Sequence, residues 1–321
     1  MRKLIDSNKD YKINGLNFQP NSNNKVPSSN ALSKKLAKQF TYNTKHIIPR
    51  ILWQTYKVDL NDQSMHEKYK IYHNTFTNES PNHQFHVLSD QQCDELIARL
   101  YKDFPDILKA YNVLPRIILK ADFFRYLILF AEGGIYSDID TVSLKPLKDW
   151  PSYQEKYLNK TINIGLTVGV EADPNREDWA DWYARPLQFC QWTFQSQKGH
   201  PMLRELITNI TITTLNREST GQLKAVFDTK DPKNDILNWT GPGIFTDYIF
   251  NYLNSMFKRK NDVNFFDLQF FTGMKQPIVI NDVMILSLSA FASGGKHNSD
   301  SLTDHEFAGS WKNAIDVENT N

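Results

Sequence analysis

Two aspartates, Asp138 and Asp140, lie at the end of a short apolar segment, residues 135–140, whose pattern predicts a β-strand. Because side chains alternate between the two faces of a strand, both carboxylates are expected on one face and Ile139 on the other. Carboxylates bind Mn²⁺ or Mg²⁺, and such a cation can neutralise the charge of a departing diphosphate. The motif alone is common, and its ordinary explanation is a solvated strand end or turn.

A second charged pair, Asp122 and Arg125, lies inside an otherwise apolar helical segment that precedes this strand. The three-residue spacing places both side chains on one helix face. On a helix surface the pair would be a salt bridge that contributes little to stability. Its neighbours are Phe123, Phe124 and Leu127, so we expect the pair to be partly buried. A buried charged pair is typical of a site that holds sugar hydroxyls and a diphosphate.

The rest of the pattern predicts strands that alternate with helices, which is typical of an α/β protein with a mostly parallel central sheet. Strands are predicted at residues 47–55, 84–88, 135–140 and 283–288, and helices at residues 65–77, 91–101, 115–130, 186–197, 201–215 and 240–257. Ser89 and Asp90 supply an N-cap for the second helix, and Gly133 and Gly134 end the third. An acidic, Trp-rich loop is predicted at residues 171–182, and a polar excursion at residues 216–238.

Composition limits the class of protein. The chain has 321 residues, is 40% hydrophobic, and carries 37 Lys and Arg against 36 Asp and Glu, so it can bury a large core but has no global basic field. This balance argues against a nucleic-acid partner. Cys93 and Cys190 lack the spacing of a zinc site, and whether they form a disulfide stays open. The oligomeric state is also open.

Residues 1–45 are rich in Asn, Ser and Lys and predict a polar stem or linker, in which residues 32–40 could form a short helix. No run is apolar enough and long enough to cross a membrane, and the first residues are not a signal peptide. Four Asn-x-Ser/Thr sequons would suit a secretory protein, although a chain so rich in these residues contains about that many by chance. They are at Asn78, Asn159, Asn209 and Asn238.

Several segments resemble glycosyltransferase family 32. Residues 121–146, with Asp-Phe-Phe-Arg-Tyr and then Glu-Gly-Gly-Ile-Tyr-Ser-Asp-Ile-Asp, resemble its DXD sugar-binding region. Residues 48–55 are similar to its first strand, and residues 305–312 to its C-terminal segment from His to Gly-Ser-Trp. Residues 178–201, with Trp-Tyr-Ala-Arg, resemble in particular the fungal initiation-specific α-1,6-mannosyltransferases.

This resemblance implies a GT-A type nucleotide-sugar-binding fold over residues 46–312, with a mostly parallel central sheet flanked by helices and a C-terminal tail at residues 313–321. It implies a retaining enzyme that transfers mannose from GDP-mannose to an N-glycan core oligosaccharide. The product would be the α-1,6 linkage that initiates the outer chain, and the cofactor would be Mn²⁺, with Mg²⁺ as an alternative. Such enzymes are type II Golgi membrane proteins, so we expect a location in the Golgi lumen and a native anchor that this sequence does not include.

The resemblance also implies a role for each matching residue. The catalytic residues would be Asp122, Arg125, Asp138 and Asp140. The metal ligands would be Asp138, Asp140 and His305. The residues that contact the donor would be Trp53, Gln54, Asp122, Arg125, Tyr136, Asp138, Ser310, Trp311 and Lys312. Candidate acceptor contacts are Gly241, Gly243 and Trp182.

Each role has a plainer alternative. Alone, His305 would be a surface or satisfied histidine, Trp311 a core residue and Lys312 a solvated charge. Residues 240–243 would be a turn and helix entry, although their backbone N–H groups could face an acceptor or a phosphate. Four aromatic residues of the middle segment would be core rather than a sugar platform. They are Trp179, Trp182, Tyr183 and Trp192.

An α-linked product from an α-linked donor requires net retention of configuration, by double displacement or by same-face attack through an oxocarbenium-like ion pair. We favour same-face attack, because the sequence places no carboxylate beneath C1, although Asp122 and a residue from 171–181 are candidates. The departing phosphate oxygen would then take the acceptor proton, and Mn²⁺, Lys312 and Arg125 would stabilise charge. The alternatives are a mannan-polymerase subunit, a sphingolipid mannosyltransferase, a transferase that uses another donor, or a non-catalytic glycan-binding subunit.

Overall fold

The computed structural model describes residues 29–157, 162–173, 177–224, 232–256, 266–292, 294 and 298–307. Its strands are β1 Ile51–Tyr56, β2 Gln84–Ser89, β3 Gly134–Ser137, β4 Thr141–Ser143, β5 Leu166–Ala172, β6 Gln188–Phe189, β7 Thr193–Ser196, β8 Ile278–Ile280, β9 Val283–Leu286 and β10 Thr303–His305. Its helices are α1 Ser29–Gln39, α2 Glu67–Thr77, α3 Asp90–Leu100, α4 Pro105–Val113, α5 Ile117–Ala131, α6 Pro201–Ser219, α7 Pro232–Trp239, α8 Pro242–Ser255, α9 Leu268–Phe271 and α10 Leu288–Phe291.

The main sheet has the order β2-β1-β3-β7-β5-β9-β8, with β6 paired to β5. β1 is parallel to β2 and β3, and β5 is parallel to β9. β7 lies between β3 and β5 and is antiparallel to both, so β1, β2, β3, β5 and β9 all run in one direction. The sheet is therefore mixed but mostly parallel, which confirms the predicted GT-A-like α/β class.

Adjacent strand residues point to opposite sides of the sheet, so both faces carry apolar side chains, and helices cover both faces. Trp53 and Tyr136 belong to the larger core, which also contains side chains from α1, α3, α4, α5, α6 and α8. Leu52 and Ile135 belong to the second core, beneath α2 and α10. In this second core Phe291 of α10 is fully buried.

Helix α5 is the central helix, and every residue from 122 to 131 in it is buried. The chain leaves it through two glycines with positive φ, Gly133 at 74° and Gly134 at 110°. A Cβ on Gly134 would lie 2.5 Å from the Ile51 carbonyl oxygen, so the close approach of β3 to β1 requires glycine there. The predicted end of the helix at these glycines is confirmed. The predicted cap of α3 is also present, since the Ser89 hydroxyl accepts a hydrogen bond from the Gln92 N–H.

The helix predicted at residues 186–197 is wrong. The segment forms β6 and β7, and β7 lies in the middle of the sheet. Residues 193–196 are all buried, with Phe194 in the larger core and Gln195 on the opposite side of the strand. Because both faces of a central strand are buried, its sequence lacks the polar and apolar alternation that would have identified it. The predicted loop at residues 171–182 likewise begins inside β5, which ends at Ala172.

The predicted stem at residues 1–45 needs a correction from residue 29 onward. Helix α1 buries Leu32 and Leu36, and Phe40 follows them into the larger core. The Tyr42 hydroxyl donates a hydrogen bond to Asp282 at 2.6 Å. Packing and hydrogen bonding therefore place the start of the folded domain no later than Ser29. The predicted tail at residues 313–321 lies outside the described residues, and no described helix is long and apolar enough to span a membrane.

We predict that Leu36→Ala lowers the free energy of unfolding by about 2–5 kcal/mol, because it removes a fully buried side chain from the larger core. Urea denaturation of the purified protein measures this change. The control is Lys34→Ala on the exposed face of α1, which should change stability by less than about 0.5 kcal/mol. Equal stability of the Leu36→Ala variant and the wild type would show that α1 is a stem and not part of the domain.

Candidate active site

A cavity of about 770 Å³ opens at the edge of the sheet where the parallel strands β1, β2 and β3 end. The carboxyl ends of parallel strands are the usual place for a ligand site in an α/β sheet. Charged side chains that line the cavity include Arg125, Asp138, Asp140, Glu171 and His305. The main candidates for chemistry therefore lie around one space large enough for a substrate.

The two aspartates converge through a turn and not through strand alternation. β3 ends at Ser137, and the Asp138 N–H donates to the Trp192 carbonyl at 2.8 Å. The Thr141 N–H then donates to the Asp138 carbonyl at 3.2 Å, so residues 138–141 form a tight turn before β4. The predicted strand at residues 135–140 is thus too long, and Ile139 packs against Tyr69 and lines the same cavity as the two aspartates.

His305 completes an acidic cluster with Asp138 and Asp140. It lies on β10, directly opposite Thr141 in the antiparallel pair with β4. Its Nε2 atom is 3.4 Å from Asp140 Oδ1 and 4.0 Å from Asp138 Oδ2. One ligand atom from each of the three residues lies within 4.8 Å of the others. Two carboxylates and one imidazole form a donor set that suits Mn²⁺ or Mg²⁺, so these residues fit the implied metal.

Neighbouring charges shift the pKa values of Asp138 and His305 in this cluster. Burial opposes the ionisation of Asp138, but the charges of Arg125 and His305 outweigh it and hold the pKa of Asp138 below its usual value. Burial likewise disfavours the charged form of His305, but the nearby carboxylates of Asp138 and Asp140 outweigh burial and raise the pKa of His305 overall. Protonation of His305 and metal binding would therefore compete, because an imidazole that ligates a metal must be neutral.

Arg125 is held rigidly above the cluster. Its Nη2 atom is 3.1 Å from Asp122 Oδ1 and 3.3 Å from Asp138 Oδ1. Its Nη1 atom donates to the Gln191 carbonyl at 3.4 Å, and its guanidinium lies 4.9 Å from the Tyr136 ring centre. Tyr136 also lines the cavity and donates to Asp138 at 2.9 Å. The planar guanidinium thus presents a fixed positive charge to the cavity.

Asp122 has a different position from the one that was expected. It is 2% exposed, lies behind Arg125, and is not among the described residues that line the cavity. Its carboxylate accepts hydrogen bonds from Gln191 at 3.2 Å and Thr240 at 3.1 Å. Burial raises the pKa of Asp122 to about 7 against the opposing charge of Arg125. Its position suits orientation of Arg125 and not direct contact with sugar hydroxyls.

Trp53 and Gln54 are also placed differently from the prediction. The Trp53 indole donates to the Gly133 carbonyl at 3.0 Å and stacks on His86. The Gln54 amide donates to the Asp138 carbonyl at 3.3 Å and pairs with His73 at 2.6 Å. Both side chains are buried, and neither is among the described residues of the cavity. Gln54 thus supports the acidic turn and Trp53 supports Gly133, and the cavity is lined instead by the next residues of the chain, 55–57.

The acceptor candidates separate into two groups. Gly241 is the N-cap of α8, and a Cβ on Gly243 would lie 2.8 Å from the Leu237 carbonyl oxygen. Neither glycine is among the described lining residues. Trp182 does line the cavity and is 59% exposed. It therefore fits a sugar-binding platform better than a core position, whereas Trp179 and Trp192 are core as expected. Ser310, Trp311 and Lys312 lie outside the described residues.

Glu171 is a site residue that the sequence left among several candidates. It lies on β5, and its carboxylate accepts hydrogen bonds from Gln188 at 2.8 Å and from the Trp192 indole at 3.0 Å. The Trp192 ring in turn packs on His305, with ring centres 4.7 Å apart. Burial raises the pKa of Glu171. Recognising β5 as a strand would have separated Glu171 from the loop residues that follow it.

Comparison with known proteins identifies the family of this chain. Residues 66–157 match the model of the glycosyltransferase sugar-binding region containing the DXD motif. Over 97% of its length the chain is 48% identical to an initiation-specific α-1,6-mannosyltransferase of Candida albicans, of which it covers 84%. The chain belongs to this family. An initiation-specific α-1,6-mannosyltransferase of Saccharomyces cerevisiae is 32% identical over 92% of the chain and is covered to 84%.

A shorter match lies outside the initiation-specific group. The inositol phosphoceramide mannosyltransferase 3 of Schizosaccharomyces pombe is 32% identical over 51% of the chain, which covers 37% of that protein. Membership of the initiation-specific family confirms the resemblance carried by residues 121–146 and 178–201 and shows that the chain is a glycosyltransferase.

We predict that Asp140→Asn weakens Mn²⁺ binding and lowers turnover by at least about 10²-fold, because one fixed charge in the cluster is lost. Calorimetric Mn²⁺ titration and a transfer assay measure the two effects. Asp149→Asn, at an exposed position, is the matched control and should leave both unchanged. Near-normal activity of Asp140→Asn with Mn²⁺ would exclude Asp140 as a metal ligand.

Proposed function

We propose that this glycosyltransferase moves mannose from GDP-mannose to an N-glycan core oligosaccharide and forms an α-1,6 linkage with retention of configuration. The observation that carries the proposal is the cluster of Asp138, Asp140 and His305 beside Arg125, in a chain that matches the initiation-specific enzymes over nearly its whole length. We also propose Mn²⁺ as the cation, with Mg²⁺ as an alternative. The Golgi lumen is the proposed location, by analogy with the family.

The described residues suggest how the site works. Asp138, Asp140 and His305 would hold the cation, which supplies positive charge to the diphosphate as it departs. Arg125 presents a second positive charge from the side of the cavity, and Asp122 and the Gln191 carbonyl keep its guanidinium from turning away. Because these charges are fixed before the substrate binds, little reorganisation is needed when the bond breaks.

We assign Glu171 as the carboxylate that acts on C1 of the transferred sugar. Asp122 lies behind Arg125, whereas Glu171 lines the cavity and is oriented by two hydrogen bonds. In same-face attack, the Glu171 carboxylate would stabilise the positive charge that develops at C1, and the acceptor proton would pass to the departing phosphate oxygen. In double displacement, its oxygen would bond to C1 as the C1–phosphate bond breaks. The acceptor oxygen would then bond to C1 as the bond between C1 and Glu171 breaks, and the acceptor proton would pass to the departed diphosphate.

Glu171→Gln should lower kcat by about 10²-fold or more while Mn²⁺ and GDP still bind with nearly normal affinity, because the lost charge acts on the transition state. Steady-state kinetics and calorimetry separate these two quantities. Glu177→Gln, at an exposed position beyond the end of β5, is the control and should keep wild-type kcat. A Glu171→Gln variant with normal kcat would remove Glu171 from the mechanism.

The decisive test of the function is incubation of the protein with GDP-mannose, Mn²⁺ and an N-glycan core oligosaccharide, followed by NMR analysis of the new linkage. We expect an α-1,6-linked mannose. UDP-glucose and UDP-galactose in place of GDP-mannose should give no product. An inositol phosphoceramide acceptor tests the function named for the Schizosaccharomyces pombe relative, which matches half of this chain. Binding of GDP-mannose without transfer to any oligomannose acceptor would instead support a non-catalytic glycan-binding subunit.

A further inference from the structure

The cavity extends beyond the acidic cluster to the ends of β1 and β2. Lys57 follows β1, and Asp90 follows β2 as the first residue of α3, and both line the cavity. Ile117 and Ile118, at the start of α5, line the same region, and Ile117 is 46% exposed. This end of the cavity therefore combines one carboxylate, one ammonium group and apolar surface.

The end of the cavity at Asp90 lies at a distance from the metal cluster that suits the nucleobase of a nucleotide. β3 carries the acidic turn, β1 is its neighbour, and β2 is the next strand outward. Because neighbouring strands lie about 4.8 Å apart, Asp90 lies on the order of 10 Å from the end of β3. A diphosphate bound at Asp138 and Asp140 would extend its ribose across β1 and its base toward Asp90. The register supports this path, since Tyr56 at the end of β1 lies beside Ser89 of β2.

The Asp90 carboxylate takes no part in the N-terminal cap of α3. The capping hydrogen bonds of α3 are made by Ser89 and Gln92, and the Asp90 carboxylate makes no hydrogen bond or ion pair with the residues that the structure describes. Burial and the neighbouring Asp94 raise the pKa of Asp90, whereas the positive charges of Lys120 and Lys57 oppose that shift.

A carboxylate distinguishes guanine from the other bases by hydrogen-bonding chemistry. It offers two adjacent acceptor oxygens. Guanine presents two adjacent donors, N1–H and the 2-amino group, next to the O6 acceptor. Uracil presents a single N–H between two carbonyl oxygens, and adenine presents an acceptor at N1. A carboxylate beside an ammonium group therefore complements the edge of guanine.

Building on the proposed function, we infer that Asp90 is the residue that selects a guanine nucleotide, by accepting hydrogen bonds from N1–H and the 2-amino group. Lys57 approaches O6, and Ile117 and Ile118 cover a face of the base. The assignment makes Asp90 a specificity-determining residue of the donor site, separate from the residues that hold the diphosphate.

The test measures binding of four nucleoside diphosphates in the presence of Mn²⁺ by calorimetry. Wild-type protein should bind GDP about 10-fold more tightly than inosine diphosphate, which lacks the 2-amino group, because one good polar contact to a base is worth about that factor. Xanthosine diphosphate carries an oxygen in place of that amino group, so it should bind at least about 10-fold more weakly than GDP. UDP should also bind more weakly than GDP.

The variant Asp90→Asn should reverse this preference. Its amide oxygen can still accept from N1–H, and its amide N–H can donate to the 2-oxygen of xanthine. We therefore expect Asp90→Asn to bind xanthosine diphosphate more tightly than GDP. Unfolding cannot produce this gain of binding. The control is Asp94→Asn, one turn along the same helix and 2.9 Å from Lys120, which should keep the wild-type order.

The outcomes separate the two proposals. If wild-type protein binds GDP but Asp90→Asn keeps the wild-type preference for GDP over xanthosine diphosphate, Asp90 does not read the base and the proposed function stands. Equal binding of GDP and inosine diphosphate to the wild type would also overturn the inference, whatever the variant does. If the wild type instead binds UDP more tightly than GDP, the proposed donor itself is wrong.

Discussion

Asp138 lies between the Arg125 guanidinium on one side and the His305 imidazole on the other. Five described acidic residues line this cavity, among them Asp138, Asp140 and Glu171, and Asp122 lies directly behind Arg125. In a partly buried site the mutual repulsion of these carboxylates would be severe without cations. Arg125 supplies one permanent positive charge, and the cluster with His305 offers a place for a second. The positive charge that offsets these carboxylates would thus also stabilise the negative charge of a departing diphosphate.

The scaffold maintains this balance largely through Trp192. Its carbonyl fixes the backbone of Asp138, its indole N–H holds Glu171, and its ring packs on His305. Trp192 immediately precedes β7, the antiparallel strand between β3 and β5. Reversal of one strand in the sheet therefore places a single aromatic residue where it can contact all three acidic or basic groups. A parallel strand at this position would deliver its preceding residue to the opposite edge of the sheet.

The residues whose local chemistry is distinctive could be predicted from the sequence. Asp138, Asp140 and Arg125 stand out because charges are rare within apolar segments, and Gly133 and Gly134 mark the end of α5 for conformational reasons. The direction of each side chain could not be predicted, because Trp53 and Gln54 point into the packed structure while the residues after them reach the cavity. That difference depends on where β1 ends, which is set by its pairing with β2 and β3.

Long-range packing explains the remaining differences. The segment that carries Trp182 and Tyr183 has few regular elements, yet the side chain of Arg185 fixes it to α8. Arg185 makes two hydrogen bonds to Asp247, at 2.9 and 2.7 Å, and a third to Asn238 at 2.8 Å. A buried pair of this kind stabilises little in net terms, but removing one partner leaves a buried charge without compensation. Its contribution is therefore positional, because it fixes the segment whose exposed Trp182 ring lines the cavity.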